Sequence, residues 1–171
     1  MHASSLSEKE YNSYYQRYID QASGMPLQEG LAEGLLETSK FFESIPKDKL
    51  EFRYASGKWT PKEILLHLID TERVFAYRAL HFARADNVTI RGFEQDEFAA
   101  NSHANERSLE DLLQEYLAVR TASIVLFKSF APNILLRKGM ASDAILSVRA
   151  AGFIICGHEK HHMDIIRERY L

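Results

Sequence analysis

Cysteine is nearly absent from this sequence: Cys156 stands alone, which excludes an intrachain disulfide and points to a reducing compartment. Proline is scarce, with four residues, so few positions force an element to end. Low-complexity runs and internal repeats are absent. There is no excess of basic charge, since 21 Lys and Arg face 24 Asp and Glu for a net charge of −3. A nucleic-acid binder draws on a basic face to displace counterions from phosphates, and this composition asks for none. No apolar run approaches the roughly 20 residues that span a bilayer. The segment Met1 to Glu10 is polar and lacks the apolar stretch of a signal peptide. These absences imply a cytoplasmic protein with neither a membrane nor a nucleic acid as partner.

What is present is helical periodicity. At 171 residues with 46% hydrophobic content, one domain spanning 1–171 is expected, large enough to bury a core unaided. Apolar residues recur at spacings of three and four rather than two. A first helix over Ser7 to Gln21 would carry Tyr11, Tyr14, Tyr15 and Tyr18 on one stripe, making residues 1–23 an N-terminal helical extension. Gly24 and Pro26 then break the chain. A second helix runs from about Leu27 to Ile45, stopped by Pro46. The third has the clearest start: Thr60 caps the orphan amides, Pro61 suits the first helical position and Glu63 completes a capping box. It should extend to about Ala85. The fourth starts at the Ser108 capping signal and ends near Phe130, and the fifth runs from about Ser147 to Arg169.

The connection Asp86 to Arg107 is long against the usual loop of roughly 4–6 residues, with a short helical turn expected around Asp96 to Ala100. The fold class is therefore all-α: a four-helix bundle with a long connection between its helices 2 and 3, and an additional short N-terminal helix. The long link predicts a crossover, with the helices on either side of it running parallel.

Seven histidines are the chemically informative residues. His2 and His103 fall in exposed segments. On the last helix, the apolar stripe Val148, Ala151, Ile155 continues through His158 and His162 to Ile165. Residues four apart share a face, so both imidazoles point at the core, where unpartnered polar atoms are costly. A shared metal removes that cost; bonding to backbone or water is the bland alternative. His161 could replace His162, although a place at the rim suits it better. His67 lies inside the helix that Thr60 caps, beside Ile64, Leu65, Leu68 and Ile69. If the third and fifth helices run antiparallel, His67 and His162 reach the same level of the bundle.

His158-Glu-Lys-His-His162 also satisfies H-E-x-x-H, in which Glu159 would be the general base of a zinc protease. The extended motif needs Gly where Ile165 stands, and only nine residues follow His162 to supply a third ligand. Glu159 is thus a weak catalytic candidate, and any third ligand comes from upstream.

From about Tyr54 onward the chain resembles the DinB-like (DinB/YfiT-like) family of metalloenzymes. The resemblance is carried by Ala55-Ser-Gly-Lys-Trp-Thr-Pro-Lys-Glu-Ile-Leu-Leu-His67-Leu-Ile-Asp-Thr-Glu72 and by Gly157-His158-Glu-Lys-His-His162. Gly92-Phe-Glu-Gln-Asp96 and Asn105-Glu-Arg-Ser-Leu-Glu-Asp-Leu add to it. It implies a four-helix bundle, commonly a homodimer, with a divalent ion, often nickel or zinc, on His67, His158 and His162. It also implies a small-molecule substrate and, for some relatives, a low-molecular-weight thiol co-substrate such as bacillithiol or mycothiol.

Three neutral imidazoles leave an ion its full charge and an open position, the pattern of a catalytic site. Such an ion activates water or a thiol. The expected function is a metal-dependent thiol S-transferase or hydrolase. The alternative is a non-catalytic metal- or small-molecule-binding protein of a stress response, and the zinc protease is the weakest reading. Asp70, Glu72, Glu159 and Asp164 are candidates by spacing to orient the imidazoles, and Cys156 is expected to be a buried, inert thiol. The tyrosine stripe either forms the dimer interface or packs on its own bundle.

Overall fold

The computed structural model describes all of residues 1–171 and is built from helices: α1 (Gln16–Gln21), α2 (Leu27–Ser44), α3 (Pro61–Arg84), α4 (Gln95–Ala100), α5 (Leu109–Lys128) and α6 (Val148–Arg169). Helices α2, α3, α5 and α6 form a four-helix bundle. Their starts are chemically marked. Thr60 Oγ1 accepts from the Glu63 amide at 3.1 Å while Glu63 Oε2 accepts from the Thr60 amide at 2.8 Å, closing the capping box ahead of Pro61. Ser108 and Ser147 cap α5 and α6 by a one-way bond, their side chains accepting from the amides of Asp111 and Ala150.

The long connection between α3 and α5 is a crossover. Near the start of α3, Lys62 Nζ donates to the carbonyl of Asn105, just ahead of α5, and further along Glu72 pairs with Arg120, so the two helices run parallel. Helix α6 runs antiparallel to α3: Tyr170, at its end, donates to the carbonyl of Trp59, and His158, half-way along, meets His67. Helix α4 falls where the short turn was expected.

The apolar core is divided in two. One part gathers Leu31, Phe75, Phe82, Phe127 and Phe153, the other Phe42, Leu65, Ile69, Leu112 and Ile166. Between them, at the waist of the bundle, lies a buried polar layer. Arg120 of α5 donates to both oxygens of Glu72 on α3 (2.9 and 3.0 Å from Nε) and to Glu159 on α6 (3.1 and 2.8 Å). Tyr116 and Thr38 donate to the same Glu159 Oε2 at 2.8 and 3.0 Å. All four helices are thereby joined. Helix α2 can approach this closely because Gly34 has no side chain, since a Cβ there would sit 1.9 Å from Glu159 Oε1. Burial opposes the charge of Arg120, but the carboxylates of Glu159 and Glu72 outweigh it and hold the guanidinium pKa well above its usual range.

Two expectations from sequence are corrected. The first helix does not span Ser7 to Gln21: 3-10 turns at Glu8–Glu10 and Ser13–Tyr15 precede a short α1. Ser7 and Glu10 close a capping box on themselves, and the Asn12 side chain accepts from the Tyr14 amide, so local side-chain bonds compete with helix propagation. The tyrosines consequently do not form one stripe. Tyr11 and Tyr18 are buried within the chain's own fold, Tyr15 is half-buried, and only Tyr14 is exposed, at 55%.

The second correction is a small sheet that helical periodicity did not reveal. Strands β2 (Lys138–Ala141) and β3 (Ala144–Ser147) form an antiparallel hairpin, and β1 (Thr89–Ile90) pairs with β2 in parallel, Thr89 opposite Met140. The hairpin turn places Ser142 and Asp143 at φ 51° and 59°. Those values suit Asn-Gly, and Ser-Asp carries no such signal. No helix is long and apolar enough to cross a membrane.

Candidate metal centre

At the same level as the polar layer, α3 and α6 bring three histidines together. His158 Nε2 lies 3.1 Å from His67 Nε2 and 3.0 Å from His162 Nε2, and one nitrogen from each of the three lies within 4.8 Å of the others. His67 and His158 are buried and His162 half-buried. A ring nitrogen has one in-plane direction, so His158 Nε2 bonds well to at most one of its two neighbours. A cation at the shared point satisfies all three, and four-coordinate zinc at about 2.0–2.1 Å from each nitrogen calls for a spacing of this order. The residues present therefore fit a divalent ion.

Burial keeps these rings neutral, as ligation requires. It lowers the His67 pKa from 6.5 to about 4, and burial with the neighbouring imidazoles takes His158 and His162 well below their usual value. Thr71 Oγ1 faces His67 Nδ1 at 3.4 Å, while His162 Nδ1 is buried without a partner. Trp59 stacks beside His162, with ring centroids 6.4 Å apart, and lies 4.6 Å from His67, while Tyr18 stands edge-on to His158 at 5.1 Å.

A cavity of about 250 Å³ opens on His67 and His158, walled by Tyr14, Tyr15, Tyr18 and Phe75. A second, of about 210 Å³, opens on His162 beside Trp59 and Asp96.

A family model described as the DinB superfamily matches residues 31–166, a span that contains all three histidines. The chain belongs to the DinB superfamily. No curated protein sequence matches it significantly. Among solved structures, it is similar to YfiT from Bacillus subtilis, at 17% identity and a TM-score of 0.75, over 83% of this chain and 82% of that one. YfiT is described as "a probable metal-dependent hydrolase with an unusual four-helix bundle topology". The likeness shows that the bundle topology is shared.

Within this DinB-superfamily chain the other candidates lie apart from the three histidines. Glu159 points away from them, both oxygens engaged by Arg120, Tyr116 and Thr38. The expectation that a nearby carboxylate orients the imidazoles is not met. Asp70 pairs with Arg73 and Asp164 with Arg167, while Glu72 is committed to Arg120. His161 packs on Tyr18 rather than joining the cluster, and His103 pairs with Glu106 at the surface. Cys156 faces Gly30 of α2, and burial pushes its thiol up to about 12, so it is inert as expected. The sequence reading placed Tyr18 in the tyrosine stripe and Trp59 in the family motif without setting either beside the histidines, and the cavity residue Arg78 escaped it.

The lowered histidine pKa values carry a stability prediction for the chelated protein. Between pH 6.5 and 4 the unfolded chain protonates its imidazoles while the folded chain keeps them neutral, so the unfolded state binds more protons. Unfolding free energy should therefore fall as pH drops through that window, by about 3 kcal/mol from His67 alone, and stay level above pH 7. Denaturant melts across pH 4–8 measure it, and His67→Gln should flatten the slope. A wild-type profile without slope between pH 6.5 and 4 would contradict the buried, neutral assignment.

Proposed function

We propose that this chain is a metal-dependent enzyme, a hydrolase or thiol S-transferase, in which His67, His158 and His162 hold a divalent ion such as zinc or nickel. The observation that carries the reading is the convergence of three imidazole nitrogens, those of His67 and His158 at the wall of a ligand-sized cavity and that of His162 beside a second one. Imidazole ligands suit both metals. When bound, such an ion supplies a Lewis acid that eases ionisation of a water or a thiol.

The protein's own residues supply the rest. The buried ring faces exclude competing solvent, Tyr18 and Trp59 fix two imidazoles in orientation, and Thr71 is positioned to partner the second nitrogen of His67. Glu94 is the one carboxylate in the cavity wall, the group placed to accept a proton from a bound substrate. Glu159 serves the fold, which separates this arrangement from the zinc-protease use of H-E-x-x-H. The description of YfiT as metal-dependent supports the hydrolase arm.

The test is elemental analysis of the purified protein, followed by ester hydrolysis and thiol-conjugation assays before and after chelation. About one ion per chain is expected, with turnover lost on chelation and restored by zinc or nickel. A chain that takes up no divalent ion would end this reading. A full complement of ion with no turnover on either substrate class would leave the binding protein as the better account.

A further inference from the structure

The cavity beside the histidines contains a charge with no counterion. Arg78 is 1% exposed, yet it takes part in no salt bridge. Its Nη2 donates to Ser142 Oγ at 2.9 Å, its guanidinium lies 4.9 Å from the Phe75 ring centre, and its Nε is buried without a partner. A guanidinium offers five donors in a planar fork, so most of this one is unused. The two other inward-facing arginines are treated differently: Arg120 lies between two carboxylates and Arg149 pairs with Glu10. A buried, unpaired cation is costly. Glu94 shares the cavity but is exposed at its mouth and makes no ion pair with Arg78.

Position gives the cation a use. His67, Thr71, Phe75 and Arg78 follow one another at spacings of four, four and three, so they share one face of α3, and all four line the cavity with His158. Eleven helical residues rise roughly 16 Å, and helical side chains lean toward the N-terminus, which brings the Arg78 head back toward the histidines. The hairpin turn delivers Ser142 from the opposite side.

We propose that Arg78, assisted by Ser142, receives an anionic group, carboxylate or phosphate, of the small molecule whose reactive end meets the three histidines. This rests on the metal-centre reading. The substrate or co-substrate is then an elongated acid: an anion in the guanidinium fork, a body along Phe75 and Tyr15, and a metal-seeking or electrophilic end at His67 and His158. A planar fork favours two-pronged oxyanions over a single point charge.

Calorimetric titration of the metal-loaded protein with 6-mercaptohexanoate, 6-mercaptohexyl phosphate and the uncharged 6-mercaptohexanamide tests the assignment. At least one of the two anions should bind about tenfold more tightly than the amide, or better, and the larger ratio identifies the oxyanion. Arg78→Met should bring the ratio close to one while leaving amide binding in place. Arg78→Lys, which keeps the charge and guards against a folding defect, should retain part of it. Equal binding of acids and amide by the wild type, or a preference that survives in Arg78→Met, would overturn the proposal and leave the metal centre standing. Failure of all three thiols to bind would also overturn it, and the metal content of the same sample shows whether the three-histidine reading falls too.

Discussion

Arg120→Met should lower the unfolding free energy by about 3–5 kcal/mol, because it leaves the carboxylates of Glu72 and Glu159 buried together without their cation. For a chain of this size that corresponds to a fall in melting temperature of roughly 10 °C or more. The origin is specific: both carboxylates are almost wholly buried, and Arg120 is their shared donor. Adding Glu72→Gln and Glu159→Gln to Arg120→Met should recover much of the loss, since neutral amides cost far less to bury than two unpaired anions. Thermal melts of the single and triple variants read both effects. A single variant within about 1 kcal/mol of wild type, the level of an exposed pair, would show that the layer is far wetter than its burial indicates.

His158→Ala is expected to reduce bound metal from near one ion per chain to near none, and His161→Ala to leave it unchanged. His158 Nε2 lies within 3.1 Å of the ring nitrogens of both His67 and His162, so its removal opens the cluster at its centre. His161 is its neighbour by one helical turn but packs on Tyr18. The affinity loss should exceed the roughly 10–100-fold that follows removal of a residue merely supporting a ligand. Inductively coupled plasma analysis after dialysis against a weak chelator separates the two variants. Equal retention by both would mean that the ion is held elsewhere.

The clustering of the three histidines was legible because its signals are local or periodic. Thr60, Pro61 and Glu63 mark where α3 starts, which sets the phase of His67, and the four-residue step from His158 to His162 is a property of any helix. The crossover followed from the length of the Asp86 to Arg107 link. Residues acting through distant partners were not legible. Glu72, Arg120 and Glu159 are separated by 48 and 39 residues in sequence; spacing offers the two glutamates as partners of the histidines, and only packing of the helices shows that both belong to Arg120. Arg78 is indistinguishable from its exposed neighbour Arg73 on the same grounds. The N-terminal helix is shorter than tyrosine spacing implies because Ser7, Glu10 and Asn12 bond locally instead. The hairpin was missed because four-residue strands with a Ser-Asp turn leave too short a period to detect.

The three tyrosines in the cavity wall, Tyr14, Tyr15 and Tyr18, come from a stretch preceding residue 31, where the superfamily match begins. One wall of the cavity is thus supplied from outside the matched span, while His67, Phe75, Arg78 and His158 lie within it. Of the three tyrosines, Tyr14 is exposed and Tyr15 half-buried, whereas Tyr18 is buried edge-on to His158. For anyone seeking to redirect this protein to a new compound, Tyr14 and Tyr15 are the positions to vary first, because they reshape the cavity wall and leave in place the Tyr18 ring that packs on His158.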